Sequence, residues 1–413
     1  MVVIRVHADI QMGDFSGADL ISDLPQSIIE SILTQLPIRD AVRTSILSSK
    51  WRYKWTTLTQ LVFDEECVPR NERTLFQKSL VNFVTHVLFL HQGPIHKFQI
   101  SASYLQSCPD IDQWILFLSR NDIKELGLEF GEGQWFRVPS CLYNCKKLTQ
   151  LALVRCELDP PINFNGFISL KSLNLHQVLV PPDAIENIIC SCPCLESLSL
   201  SYFDSLSLNI HAPNLKCLYL EGEFKDIWLE DTPLLVEMSV AMYMTDDIAE
   251  HFEQSSSCNF VKCLGGVPQL ERLSGHIDFT KYLSIGNDLG RLPLTYNHLK
   301  TIELYEVSFE DMKEMLVVLC LITSSPNLVE LHVSCSNSPA ATDDPDLDFW
   351  EKKRSSDCLF NRLKVVEMTD MSGGLQEMEF MKFLLGNSPV LEIMSIKPFV
   401  YDMETQLNML IEL

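Results

Sequence analysis

The amino-acid sequence predicts an α/β chain: a small helical module at the N-terminus, then an irregular solenoid with a curved parallel sheet and helices or loops on its convex side. Three observations carry this expectation. Between residues 19 and 55 apolar side chains recur at helical spacing. From Ile95 onward a six-residue unit, apolar-x-x-apolar-x-apolar, returns again and again. With 413 residues, 46% hydrophobic and 21% charged, the chain can build a large core.

In the N-terminal stretch, Ile28, Ile29, Ile32, Leu33 and Leu36 place one apolar stripe along a helix. Pro25 stands in its expected first turn, where a missing N–H does no harm, and Pro37 stops it. Asp40 is expected to cap a second short helix bearing Ala41, Val42, Ile46 and Leu47, and Ser48 or Ser49 to cap a third. Trp51 and Trp55 then share one face of that third helix. A segment of about forty residues lies near the limit of independent folding, so its apolar surface must rest on the remaining chain or on a partner.

These residues carry a resemblance. Leu24-Pro25, Leu36-Pro37, the run Asp40-Ala41-Val42-Arg43-Thr44-Ser45, Leu47-Ser48 and Trp51-Arg52-Tyr53-x-Trp55 resemble the F-box in its plant form. One departure, Ser49-Lys50 ahead of Trp51, keeps the basic charge on Lys50. The resemblance implies docking onto a Skp-type adaptor of a cullin-RING ubiquitin ligase. It places the adaptor contact on Leu24, Pro25, Ile28, Ile29, Ile32, Leu36, Pro37, Val42, Leu47, Trp51 and Trp55, some of which must serve the module's own core.

The repeated unit begins at Ile95, Ile123, Leu148, Leu170, Leu195, Leu215 and Leu235, and in weaker or variant form at Leu270, Leu299, Leu328, Leu363 and Leu391. Alternation in its last four positions is the period of a strand buried on one face, and the variable remainder returns the chain over the opposite side. Each unit leaves apolar surface that only its neighbours can cover, so the units stack. The array resembles the leucine-rich repeat of plant F-box proteins, and Cys190-Ser-Cys192-Pro-Cys194-Leu195-Glu196 resembles that family's turn into a repeat strand. Cys358-Leu359-x-x-x-Leu363-Lys364-Val365-Val366, Gly373 and the stretch from Glu379-Phe380 to Leu391-Glu392 resemble the FBD domain. That family continues through a further helix, so an abbreviated closing cap is expected.

The expected organisation is therefore a loose arm over 1–18, the F-box over 19–60, a connecting strand (61–64) and helix (75–90) within 61–94, leucine-rich repeats over 95–357, and an FBD-like region over 358–413. An exposed loop is expected over 334–356.

A formal charge of −23 argues against a nucleic-acid partner, which needs a basic footprint. No apolar run approaches the eighteen or so residues of a bilayer span, and no secretory segment precedes the fold, so no membrane partner is expected. Fourteen cysteines without a Cys-x-x-Cys read as reduced thiols of a cytoplasmic or nuclear protein. Cys190, Cys192 and Cys194 are expected on one side of an extended segment as structural thiols rather than zinc ligands. Asp344-x-Asp346-x-Asp348 imitates a calcium loop but has Phe349 where glycine belongs, Gly131-Glu-Gly133 lacks the third glycine of a dinucleotide fingerprint, and Lys352-Lys353-Arg354 is too short for an import tract. No cofactor, metal or catalytic constellation is expected.

If the apolar positions of each unit point inward, the intervening positions line the concave face. They include Glu125, Glu129, Glu221, Glu237, Glu303, Glu330 and Glu367, against Lys97, Arg272 and Lys397. This face is expected to favour a basic or polar protein segment over an anionic small molecule. Taken together, the resemblances imply a non-catalytic substrate-recognition subunit of a Skp-cullin-F-box ubiquitin ligase. The alternative is a leucine-rich-repeat scaffold that recruits no ligase, its F-box-like segment packed internally.

Overall fold

The computed structural model describes residues 24–69, 72–131, 133–181, 183–255, 260–285, 295–336, 350 and 359–399. All twelve units become strands, each beginning two residues after the unit's first apolar residue. They are β2 (Lys97–Ala102), β3 (Glu125–Phe130), β5 (Gln150–Val154), β7 (Ser172–His176), β8 (Ser197–His211), β9 (Cys217–Glu230) and β10 (Glu237–Met242), continuing as β11 (Arg272–Ile277), β12 (Thr301–Val307), β13 (Glu330–Cys335), β14 (Val365–Met371) and β15 (Ile393–Pro398). A further strand, β1 (Gln60–Phe63), pairs with β2, so one parallel sheet of thirteen strands runs through the described residues in chain order. Two short strands, β4 (Phe136–Arg137) and β6 (Cys156–Glu157), pair outside it.

Register is kept without slip along the inward-facing row Leu126, Leu151, Leu173, Leu198, Leu218, Met238, Leu273, Ile302, Leu331, Val366 and Met394. A one-residue slip would turn every such side chain to water, which fixes the pairing. Backbone bonds reinforce it at each junction. The carbonyl of Lys124 accepts from both Thr149 and Gln150 N–H, that of Lys171 from Glu196 and Ser197, and that of Lys300 from Val329 and Glu330. The last strand is the exception in burial: Met394 and Ile396 are only half-buried, because no further described strand covers them.

Unit length decides what lies on the convex side. Longer units hold helices: α3 (Arg73–Leu90) precedes the array, followed by α4 (Pro109–Ser119), α5 (Ala184–Cys190), α6 (Asp246–Ser255), α7 (Phe260–Gly265), α8 (Phe279–Ser284), α9 (Met312–Thr323) and α10 (Leu375–Asn387). The units starting at Leu195 and Leu215 are only twenty residues long. They have no room for a strand, two loops and a helix, so β8 and β9 run on past the concave sheet and return the chain as strand. Register shifts at Ser201/Phe203 and Phe203/Leu206 mark the bend.

The N-terminal module consists of α1 (Gln26–Leu33) and α2 (Ile38–Arg43) followed by turns. Here the structure corrects three expectations. Pro37, not Asp40, stands at the start of α2, with Asp40 inside its first turn. The expected third α-helix is instead a series of turns ending in a 3₁₀ segment, Lys54–Thr57, held by bonds such as Lys54 N–H to Trp51 C=O (3.2 Å) and Leu58 N–H to Trp55 C=O (3.1 Å). So short a segment has little helical stability of its own, and burial of both indoles sets its path. Cys192 is buried while Cys190 and Cys194 are exposed, because α5 ends at Cys190 and the following turn is not extended.

The expected loop over 334–356 also needs revision. Ser334 and Cys335 belong to β13, and Trp350 is buried, donating from Nε1 to Gln376 Oε1 at 2.7 Å. Residues 337–349 and 351–356, with the Asp344 motif and the Lys352 triplet, lie outside the described residues, as do the arm over 1–18 and the segment 400–413. Gly131 has a packing role: a Cβ there would stand 1.6 Å from the Ser103 carbonyl oxygen.

Candidate functional site

Two surfaces take up the residues singled out by the sequence. The first is the N-terminal module, which is seated on the array rather than separate from it. Gln92 N–H donates to Thr56 C=O (2.7 Å), His96 N–H to Thr59 C=O (2.8 Å), and Arg39 Nη1 to Glu66 C=O (3.0 Å). Its interior is complete: Ile29, Leu33, Ile38, Ala41, Trp51, Trp55 and Leu58 join the main core. Trp55 Nε1 donates to Ser45 Oγ at 3.1 Å, so the buried indole N–H has its partner.

This packing divides the eleven candidate adaptor residues. Ile29, Trp51 and Trp55 are buried in this chain's own core, and Leu24 and Val42 are half-buried against it. Pro25, Ile28, Ile32, Leu36, Pro37 and Leu47 face solvent. Ile46, 83% exposed, and Tyr53 are further large apolar side chains exposed on the module. No pattern in the sequence separates Ile46 from a helical core stripe, because only the 3₁₀ turn at Thr44–Ile46 swings it outward.

The second surface is the concave face. Its strands alternate as expected: in β3, Leu126 and Leu128 are buried while Glu125, Gly127 and Glu129 point out. The three cations there are each taken up by a glutamate on the neighbouring strand. Lys97 Nζ lies 3.3 Å from Glu125, Arg272 Nη1 2.5 Å from Glu303, and Lys397 meets Glu367. Bonds from Lys397 and His332 hold the Glu367 carboxyl below its usual range. Four glutamates, Glu129, Glu221, Glu237 and Glu330, meet no lysine or arginine among the described residues. Glu330 has His332 Nε2 at 3.8 Å, and Glu221 accepts from two tyrosine hydroxyls.

Chemistry is sparse. Among the described residues there is no group of three or more His, Cys, Asp or Glu side chains placed to hold a metal ion, and no helix long and apolar enough to cross a membrane. Burial raises the Cys67, Cys145 and Cys156 thiols to about 12, which removes them as nucleophiles. Shallow depressions line the concave face over β2 to β8, one of about 360 Å³ floored by Gly127, Ala152, Asn174, Ser199 and Ser201.

Comparison with known proteins agrees with these geometries. Residues 21–61 match the F-box domain, 111–333 match the repeats described as FBD-associated F-box protein At5g56370, LRR repeats, and 354–396 match FBD. F-box/FBD/LRR-repeat protein At1g13570 of Arabidopsis thaliana is 62% identical over 397 residues, covering 96% of this chain and 95% of its own. FBD-associated F-box protein At4g10400 of the same plant is 28% identical over 411 residues, covering 96% of each. F-box, repeats and FBD region in this order, with a full-length relative at that identity, make this chain a member of the F-box/FBD/LRR-repeat protein family.

Proposed function

We propose that this chain is the substrate-recognition subunit of a Skp-cullin-F-box ubiquitin ligase, in which the N-terminal module docks a Skp-type adaptor and the repeat array holds a protein target. One observation carries the reading. Ile28, Ile32, Leu36, Ile46, Leu47 and Tyr53 are all exposed on a module whose other apolar residues Ile29, Leu33, Ile38, Trp51 and Trp55 form its buried core. Six large apolar side chains exposed on so short a module are the mark of a protein interface. Pro25 leads α1, which carries Ile28 and Ile32, and Pro37 leads α2, which runs into the 3₁₀ turn that carries Ile46.

The chain itself performs no covalent step. Because the module is bonded to the first strand of the array, adaptor and target are held at a set separation. The mechanism is proximity, a high effective concentration of target lysines beside the ubiquitin carrier.

The test is co-expression with a plant Skp-type adaptor, using wild type and an Ile28→Asp/Leu47→Asp double variant. Wild type co-purifies with the adaptor; the variant melts as wild type does and elutes alone. A folded wild-type chain that does not bind the adaptor moves the assignment to a scaffold without ligase recruitment.

A further inference from the structure

Glu221 differs from the other glutamates of the concave face in its surroundings. Glu125, Glu303 and Glu367 are neutralised by this chain's own cations. Glu221 instead accepts from Tyr219 Oη on Oε2 (3.0 Å) and from Tyr243 Oη on Oε1 (2.9 Å). Both bonds orient the carboxylate without cancelling its charge, and each oxygen retains a lone pair. Burial first, then the carboxylate itself, raises the Tyr219 hydroxyl to about 12 and moves that of Tyr243 in the same direction, so both remain donors.

Further aromatic rings pack beside Tyr243. Tyr202 and Tyr243 have centroids 6.3 Å apart at 30°, and His176 packs against Tyr202 at 4.8 Å. Their placement is fixed by backbone. Tyr243 N–H donates to Gly222 C=O (3.0 Å), and Tyr282 Oη donates to Tyr243 C=O (3.0 Å). Gly222 permits the close approach, since a Cβ on it would stand 2.4 Å from the Phe203 carbonyl oxygen.

Flanking positions are small: Ser201 on one neighbouring strand and Ala241 on the other lie opposite Glu221. Ser201 also lines the 360 Å³ depression, whose lining otherwise combines small and amide side chains with one carboxylate, Glu129, and His176. A half-buried carboxylate held by two tyrosine hydroxyls keeps its charge and attracts a cation, and a planar guanidinium suits it best, because it can donate in its own plane and stack on a neighbouring ring. Extended backbone fits the trough alongside, whose amide and hydroxyl side chains can bond it and whose one carboxylate, Glu129, also favours a basic segment.

We propose that Glu221, with Tyr202, Tyr219 and Tyr243, forms an arginine-recognition site, entered by an extended segment of a protein partner lying in the adjoining trough. This rests on the reading of the array as target-binding and names the chemistry of that contact.

The test uses the full chain and fluorescein-labelled dodecapeptides of repeating Gly-Ser-Arg, with lysine and citrulline counterparts, followed by anisotropy. Wild type is expected to bind the arginine peptide about ten-fold more tightly than Glu221→Gln. Glu303→Gln, which removes the same charge from the same face, changes affinity by less than about two-fold. Tyr202→Ala weakens binding about five-fold. Tyr243→Phe, which keeps the ring and loses one bond to the carboxylate, is the second variant should Glu221→Gln melt early, and weakens it about three-fold.

Equal losses in the two glutamine variants, citrulline or lysine peptides bound as tightly as arginine, or no peptide binding by wild type would each overturn the proposal. Adaptor co-purification is scored on the same preparations. Its failure with peptide recognition intact would remove the ligase reading and leave the arginine site standing.

Discussion

Ile28 and Ile29 are neighbours on α1 and have opposite fates: Ile29 is fully buried, and Ile28 keeps 45% of its surface. An Ile29→Ala change should therefore cost about 2–5 kcal/mol, through lost transfer energy and the cavity left behind. Ile28→Asp should leave the melting temperature unchanged and abolish adaptor capture. Thermal melts paired with co-purification separate the two, and a large destabilisation by Ile28→Asp would refute the division.

Glu314 is a buried carboxyl on α9, accepting from Thr280 Oγ1 at 2.5 Å. Burial raises it above its ordinary 4.5. The folded chain thus holds this proton more tightly than the unfolded chain does. The resulting stabilisation is whole below about pH 4.5 and is lost as pH rises through the raised folded value. Glu314→Gln should accordingly gain urea resistance relative to wild type at pH 8, with the difference shrinking towards pH 4.5. A gap independent of pH would contradict this.

Glu306 has φ 60° at the irregularity between Leu304 and Val307, where β12 departs from β13. A side chain in the left-handed region costs roughly 1–2 kcal/mol that glycine avoids. Glu306 is exposed. After the greater entropy of an unfolded glycine is allowed for, Glu306→Gly should stabilise by about 0.5–1 kcal/mol in chemical denaturation.

Gly275 on β11 faces the Phe279 ring, and a Cβ added to it would stand only 2.1 Å from that ring's Cδ1. Phe279 is buried, so it cannot step aside. Gly275→Ala should lower stability by about 1–3 kcal/mol through overpacking. Unchanged melting would show that α8 can shift away from the sheet.

Each of the twelve unit starts lies two residues ahead of its strand, because alternating burial leaves a direct mark on sequence. The twenty-residue spacing from Leu195 to Leu235 likewise excludes helices there, although it does not reveal that β8 and β9 fill the gap. The glutamates of the concave face lie where alternation puts them, but their summed charge overstates the free negative charge. Lys97, Arg272 and Lys397 each reach a glutamate on the adjacent strand, a pairing across strands that no single repeat displays.

Family, order of parts and the inward apolar row of each unit are legible in the sequence, since they follow from local periodicity and short motifs, whereas the buried Ala241 and Ser274 on the outward row are not. Which apolar residues of the N-terminal module remain available, and which glutamates stand without a lysine or arginine, depended on the folded arrangement. Ile46 is outside and Trp55 inside because the two 3₁₀ turns pack on each other and the second of them on α1, with Trp55 bonded to Ser45. Glu221 is open because Ser201, Ala241 and Gly222 leave space around it while the tyrosines orient it. Both outcomes rest on contacts between residues on different strands and turns, which no local pattern specifies.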